Sequence, residues 1–187
     1  FVDHIAVIGL FGKDRSGRQL RELLAEQNID ISDAIENETF RTIVKTRIIA
    51  RHQQVVRVDR EQSTGLSAVQ IEQVVAAVRK NLSQTDANIF QDYGKGFLTT
   101  DLVSPIARDA REKGKLIVAD PNPRNSIGWR GVTVIKPNRT EAFLAAGIPL
   151  RDPDDAPAED VELKRAGETL LKKWKTKYVL VTLGEHG

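Results

Sequence analysis

Four short clusters along this sequence hold the residue types that bind charged, hydroxylated ligands. They are Asp92-Tyr93-Gly94-Lys95-Gly96, Asp120-Pro121-Asn122-Pro123-Arg124, Lys136-Pro137-Asn138-Arg139, and Thr182-Leu183-Gly184-Glu185-His186-Gly187. Each follows an apolar run, and each on its own is an ordinary turn, because Gly, Pro, Asn and Asp are turn formers. The third cluster adds Glu141 three residues after Asn138, the spacing of a reciprocal helix cap. That pair either caps a helix only, or caps it and also holds a ligand. If the four preceding runs are parallel strands, all four clusters meet at the carboxyl edge of one sheet, where open α/β sheets bind ligands. Lys, Asp, Asn, Glu and Thr gathered there describe a polar cleft for a phosphorylated ligand, aided by helix starts that favour anions.

The elements needed for that arrangement are legible in the apolar periodicity. Residues 4–10, 87–93, 115–121, 131–137 and 177–184 read as strands. Residues 16–27, 67–82, 99–114, 139–146 and 159–175 read as helices. Ser67 and Gln70 repeat the capping pattern, Gly114 closes the third helix, and Pro105 is expected near that helix's first turn. Alternation at this spacing predicts right-handed crossovers and a parallel sheet. Residues 41–50 and 53–61 break the alternation. They are two β-branched runs around Arg51-His52 and predict an antiparallel flap that packs on a partner chain or over a ligand. Residues 147–160 read as an acidic, Pro-rich surface loop.

Bulk composition narrows the function. The chain has 187 residues, 28 of them basic and 26 acidic, for a net charge of +2. That balance gives no reason to expect a nucleic-acid or anionic-membrane partner. Cysteine is absent, which excludes disulfides and Cys-based zinc sites. The first residues are too short and too polar for a signal peptide, and no run is long enough to span a bilayer, so a cytoplasmic protein is expected. The stretch Gly12-Lys13-Asp14-Arg15-Ser16-Gly17-Arg18-Gln19 has P-loop glycine spacing. Arg18 and Gln19 replace the required lysine and hydroxyl, so it reads as a turn into a helix.

The segments DYGKG, VADPNP, KPNRTEAF and VLVTLGEHG, in that order, resemble the ribokinase/PfkB carbohydrate kinases. The stretch VKTRIIARHQQVVRVDRE resembles the flap of the D-glycero-β-D-manno-heptose 7-phosphate kinases, the kinase half of bifunctional heptose kinase/adenylyltransferases. The resemblance implies an α/β fold, ribokinase-like, with a mostly parallel central sheet flanked by helices and a small β-strand lid near residues 40–61. It implies ATP and Mg2+ as cofactors, a phosphorylated sugar as substrate, and a homodimer formed through the lid. On the nucleotide side it implies Asn138, Glu141, Thr182, Gly184, Asp120 and Asn122, with Glu141 reaching magnesium through water. On the sugar-phosphate side it implies Lys95 and the lid residues Arg47, Gln53, Gln54, Arg57 and Asp59. These types suit the chemistry. Phosphoryl transfer rests on positioning and charge neutralisation, arginine grips phosphate at two points, and Asp, Asn and Gln recognise hydroxyls.

The implied reaction is transfer of phosphate from ATP to the anomeric hydroxyl of heptose 7-phosphate, in ADP-heptose biosynthesis. The alternatives are a PfkB-type kinase for another sugar, or a non-catalytic domain that binds nucleotide or sugar phosphate. Two family segments have no counterpart here, an N-terminal Gly-Gly substrate segment and a Gly-Ala-Gly-Asp loop that carries the general base. The chain is therefore expected to be an incomplete kinase domain over residues 1–187, with its base beyond Gly187. Bland readings stand beside these roles. Lys95 could be a solvated loop lysine, Arg47, Arg57 and Asp59 could be surface ions, and Trp129 and Trp174 are expected to pack rather than stack on adenine.

Overall fold

The structure is a computed structural model that describes residues 2–151 and 156–186. Gly187, the end of the fourth cluster, and residues 152–155 of the acidic loop lie outside the described residues. The chain divides into two compact units, Phe1–Gln70 with Lys95–Phe97, and Ile71–Gly94 with Leu98–Gly187.

In the first unit, β1 (Ile5–Ala6) pairs in parallel with β3 (Ile29–Asp30), and β2 (Leu10–Gly12) pairs in parallel with β4 (Ile35–Asn37). The expected single strand over residues 4–10 is thus divided. The cause is a change of partner. Val7 N–H donates to Asp30 O at 2.8 Å, then Gly9 O accepts from Ile35 N–H at 2.9 Å, and a turn closed by Ala34 N–H to Ile31 O separates the two partner segments. Strands β3 and β4 have no counterpart among the expected elements. They are two and three residues long, too short to show the alternation that marks a strand in sequence. Helix α1 (Arg15–Glu26) lies between β2 and β3 in sequence, and Asp14 caps it by accepting from Gly17 N–H at 2.8 Å. Asp14 also accepts from Thr42 N–H at 3.0 Å, so one carboxylate ties the helix start to the segment entering the flap. The P-loop-like stretch is the turn into a helix that its residues predict.

The flap is an antiparallel ribbon of β5 (Val44–Ala50) and β6 (Gln53–Arg60), turning through Arg51-His52 with Arg51 at φ 57°. A register shift between Ile48 and Ile49 marks a bulge. Lys45, Arg47, Arg57 and Asp59 share one face, because Lys45 opposes Asp59 and Arg47 opposes Arg57. Thr46, Ile48, Val56 and Val58 share the other, where Ile48, Val56 and Val58 are 49%, 44% and 54% exposed.

In the second unit, β7 (Ala87–Gln91), β8 (Leu116–Asp120), β9 (Val134–Ile135) and β10 (Tyr178–Val179) form one sheet in the order β10-β9-β8-β7. Every pairing in it is parallel. Main-chain bonds extend the pairing beyond the short strands, with Lys136 N–H to Ala119 O and Leu180 N–H to Ile135 O both at 2.8 Å. Most of α2 (Ala68–Asn81) belongs to this unit, together with α3 (Thr100–Glu112), α4 (Arg139–Ala146) and α5 (Val161–Trp174). The apolar stripe of α3, namely Leu102, Val103, Ile106, Ala107 and Ala110, is buried, as are Ile117 and Ala119 of β8 and Phe143 of α4. Trp129 is 1% exposed and stands 6.2 Å from the ring of Phe90, and Trp174 is also buried, so both tryptophans pack. Pro105 lies inside α3, a turn deeper than expected. A proline there removes one helix hydrogen bond, which the fully buried stripe around it offsets.

Candidate functional site

The parallel sheet of the second unit does bring the four strand ends to one edge. At the end of β7, Asp92 N–H donates to Asp120 O at the end of β8, at 3.0 Å. Beyond β9 and β10, Asn138 and Thr182 form a parallel bridge, with Thr182 N–H donating to Pro137 O at 3.0 Å and Arg139 N–H to Thr182 O at 3.1 Å. Because each polar cluster lies at or just past the end of its strand, the parallel register brings these residues to the same edge.

Asn138 and Glu141 form the reciprocal cap their spacing predicts. Glu141 N–H donates to Asn138 Oδ1 at 2.9 Å, and Asn138 N–H donates to Glu141 Oε2 at 2.8 Å. With Arg139 N–H bound to Thr182 O, most of the amides at the start of α4 are satisfied within the fold. The helix start thus commits most of its amides to the cap and the bridge, and its partial positive charge remains for an anion. Behind the cap, Arg139 pairs with Asp160 at 2.7 Å and lies over the Phe143 ring at 4.7 Å, which fastens α4 to the start of α5. Hydrogen bonding from the Leu163 amide, together with this guanidinium, holds the Asp160 carboxyl below its usual range despite burial.

Asp120 Oδ2 receives Lys136 Nζ from the neighbouring strand and Gln91 Nε2 from the other side, both at 3.0 Å. Asn122 Oδ1 accepts from Arg124 N–H at 3.0 Å and so shapes its own loop. Asp92 is 7% exposed. Its Oδ1 accepts from Gly94 N–H at 2.8 Å and from Asn125 Nδ2 at 3.3 Å. Its Oδ2 is buried without a hydrogen-bond partner among the described residues. A buried carboxylate oxygen left in that state calls for a cation, a hydroxyl or water. Gly184 opens a 3-10 turn over Gly184–His186 with φ 64°, two residues past the Thr182 bridge. The sequence reasoning placed Asp92 and Lys136 in the polar clusters without giving them a site role. The signal for Asp92 was its position at a strand end, but its burial is a tertiary property.

The sugar-side residues lie in the first unit and do not form one surface. Arg47, Arg57 and Asp59 share a ribbon face, with Arg57 Nε 3.0 Å from Asp59 Oδ1. Beyond the bulge, Gln54 opposes Ile49 on that face, whereas Gln53 opposes Ala50 on the other. Lys95 is partly exposed and already has an ionic partner. Its ammonium pairs with Glu61, which also receives Lys45 Nζ at 2.9 Å. The bond from Lys95 and then the one from Lys45 pull the Glu61 carboxyl down to about 2. The loop bearing Lys95 is fixed at its backbone as well. Thr64 N–H donates to Lys95 O at 3.0 Å, and Gly96, at φ 91°, passes so close to Thr64 that an added Cβ would stand 3.0 Å from the Thr64 carbonyl. Glu61 escaped the sequence reading because its partner is 34 residues away.

Asp92, Asp120 and Glu141 supply hard oxygen donors, and Asn122 and Asn138 amide oxygens, the donor set that suits Mg2+ and phosphate-bound water. No group of three or more potential metal-binding side chains occurs among the described residues.

The chain matches the pfkB family carbohydrate kinases over residues 2–187 and belongs to that family. It is similar to the bifunctional protein HldE of Wolinella succinogenes, 36% identical over 179 residues that cover 96% of this chain and 36% of the relative. It is also similar to HldE of Helicobacter hepaticus, 35% identical over 183 residues, with 98% and 36% covered. The chain thus spans about a third of the length of these relatives. Among solved structures it resembles phosphofructokinase-2 from Escherichia coli in complex with potassium, at TM-score 0.70 and 16% identity over 97% of this chain and 56% of that one. Ribokinase from Giardia lamblia matches at TM-score 0.68 and 18% identity over 97% and 53%. The fold is therefore the ribokinase-like α/β fold. No helix among the described residues is long and apolar enough to cross a membrane.

Proposed function

We propose that this chain is part of an ATP-dependent sugar kinase whose acceptor is the anomeric hydroxyl of D-glycero-β-D-manno-heptose 7-phosphate. The observation that carries the reading is the single carboxyl edge of the parallel sheet, where Asp92, Asp120, Lys136, Asn138 and Thr182 gather. The likeness to HldE proteins supports the heptose acceptor, and the order of the polar clusters supports the nucleotide side.

In the proposed reaction the acceptor oxygen bonds to the γ-phosphorus, the bond from that phosphorus to the leaving ADP oxygen breaks, and the hydroxyl proton leaves to a base. No residue of this chain is assigned that base. Magnesium, when bound with ATP, neutralises developing phosphate charge. Glu141 would hold it through water, with Asp120 and Asn122 near the same phosphates. Asp120 is restrained by Lys136 and Gln91, so it keeps one orientation without a ligand. Thr182 and Gly184 line the nucleotide side. Arg47, Arg57, Asp59, Gln54 and Lys95 meet the sugar phosphate, and Gln53 is the weakest member of this set because it faces away from the others. Lys95 arrives already bound to Glu61, so a substrate phosphate must compete with a carboxylate for it. The exposed apolar face of the ribbon is proposed to bury against a second copy of the chain.

The test is ATP consumption by the full-length gene product with heptose 7-phosphate and a panel of other sugars. Turnover with heptose 7-phosphate is expected. Turnover only with another sugar overturns the acceptor, and ATP binding without turnover on any sugar overturns the kinase reading.

A further inference from the structure

We propose that Arg15, Arg41 and Arg60 form a binding site for a tetrahedral dianion of the phosphate-monoester class, separate from the residues proposed for the sugar and the nucleotide. The three arginines line an open cavity of about 430 Å³ in the first unit together with Asp14 and Ser16. They come from three segments, the start of α1, the residue before Thr42, and the last residue of β6. Those segments are tied to one another before any ligand arrives. Arg60 Nη2 donates to Ser16 Oγ at 3.0 Å, Thr42 N–H donates to Asp14 Oδ2 at 3.0 Å, and Arg41 N–H donates to Gln62 Oε1 at 3.0 Å. The cavity is therefore built by long-range contacts and not by neighbouring residues of one helix.

Its charge is unbalanced. Arg21 and Arg57 of the same unit pair with Glu36 and Asp59, but none of the three cavity arginines has a carboxylate within ion-pair distance among the described residues. Among the described residues Asp14 is the one anion in the lining, and both its oxygens are occupied, Oδ1 by Gly17 N–H and Oδ2 by Thr42 N–H. The amide from Gly17 is the main cause that keeps this carboxyl ionised below its ordinary range. Three cations against one engaged carboxylate leave the excess positive charge of a dianion's counterpart. Guanidinium forks bind tetrahedral oxyanions at two points each. Arg15 and Ser16 are the first two residues of α1, whose amides have no intrahelical acceptor, and the helix end adds partial positive charge. A concavity of about 430 Å³ has room for a phosphate group.

The proposal does not depend on the kinase reading, and its test is read without ATP. Full-length protein is titrated calorimetrically, at constant ionic strength, with inorganic phosphate, glucose 6-phosphate and glucose. Both phosphates are expected to saturate one site that glucose does not occupy. Tighter binding of glucose 6-phosphate assigns the site to an organic monoester, and tighter binding of inorganic phosphate assigns it to the free ion. Arg41→Gln and Arg60→Gln are each expected to weaken binding about tenfold, the double variant about a hundredfold. Arg18→Gln, an exposed arginine of the same helix outside the cavity, is expected to change it little. Absence of saturable phosphate binding overturns the proposal. So does unchanged affinity in the double variant with a wild-type melting temperature. Should the double variant not fold, Arg15→Gln at the exposed helix start decides in the same way, with unchanged affinity as the overturning result.

Discussion

At the scale of single residues, Glu141 carries two duties that substitution can separate. Its carboxylate closes the cap of α4 through Oε2, and the proposed function adds water-mediated contact with magnesium. Glutamine keeps an oxygen for the Asn138 amide but loses the charge. Glu141→Ala is expected to cost about 1 kcal/mol of stability by breaking the cap. Glu141→Gln is expected to cost less than about 0.5 kcal/mol yet lower ATP turnover of the full-length enzyme roughly 10- to 100-fold. Thermal melts beside turnover assays check this, and unchanged turnover would leave Glu141 a cap only. Glu61 makes a prediction about pH. Its folded carboxyl is depressed from 4.5 to about 2, so its contribution to stability is present above pH 4.5 and is lost as pH falls toward 2. The stability difference between wild type and Glu61→Gln should shrink across that window in denaturant titrations. The difference should also shrink in high salt, because Glu61, Lys45 and Lys95 are all partly exposed. A difference that stays constant from pH 5 to pH 2 would mean that the two lysines do not act on Glu61 in solution. The Asn138/Glu141 cap was readable from three residues' spacing, and the two-lysine grip on Glu61 was not.

At the scale of elements, the close crossing of α1 over the end of β2 depends on Gly17. A Cβ at this position would lie 2.1 Å from the carbonyl oxygen of Gly12 and 3.0 Å from Thr42 Oγ1. Main chain cannot yield as a flexible side chain does. Gly17→Ala is therefore expected to destabilise by about 3 kcal/mol, measured by chemical denaturation. It should also disturb Thr42, whose hydroxyl accepts from Gly12 N–H at 3.0 Å. A loss below about 0.5 kcal/mol would show that the crossing relaxes freely. Helices were the elements most legible in the sequence. Arg15–Glu26, Ala68–Asn81, Arg139–Ala146 and Val161–Trp174 stand within two residues of their periodic patterns, and the Ser67/Gln70 and Asn138/Glu141 caps mark two of their starts. The ribbon was legible because two β-branched runs flank a two-residue turn. The short strands β3 and β4 were not, since only their parallel partners β1 and β2 make them strands.

At the scale of the molecule, the ribbon presents an apolar face that water does not favour. Ile48, Val56 and Val58 stand together and exposed on one side of a two-stranded sheet, an arrangement that is marginal alone. The full-length protein is expected to sediment as a dimer, and Ile48→Glu with Val56→Glu is expected to convert it to monomer. A wild-type monomer at tens of micromolar would remove the ribbon from the list of subunit contacts. Membership of the pfkB family fits the parallel sheet of the second unit and the ribbon of the first, each described on its own terms.

The alternation of strand and helix, the antiparallel ribbon, the two caps and the polar tips of four strands are all written in the order of the residues. These are local properties, set by side-chain period, β-branching and hydrogen bonds spanning three residues. Tertiary structure decided which of those tips touch. Lys136 reaches Asp120 because β8 and β9 are parallel neighbours in one register, and Lys95 reaches Glu61 across 34 positions of chain. Folding likewise brings Arg15, Arg41 and Arg60 around one cavity, and it buries the unpaired oxygen of Asp92. No local rule contains such contacts, because their distances are fixed by how sheets and helices stack and not by spacing along the chain.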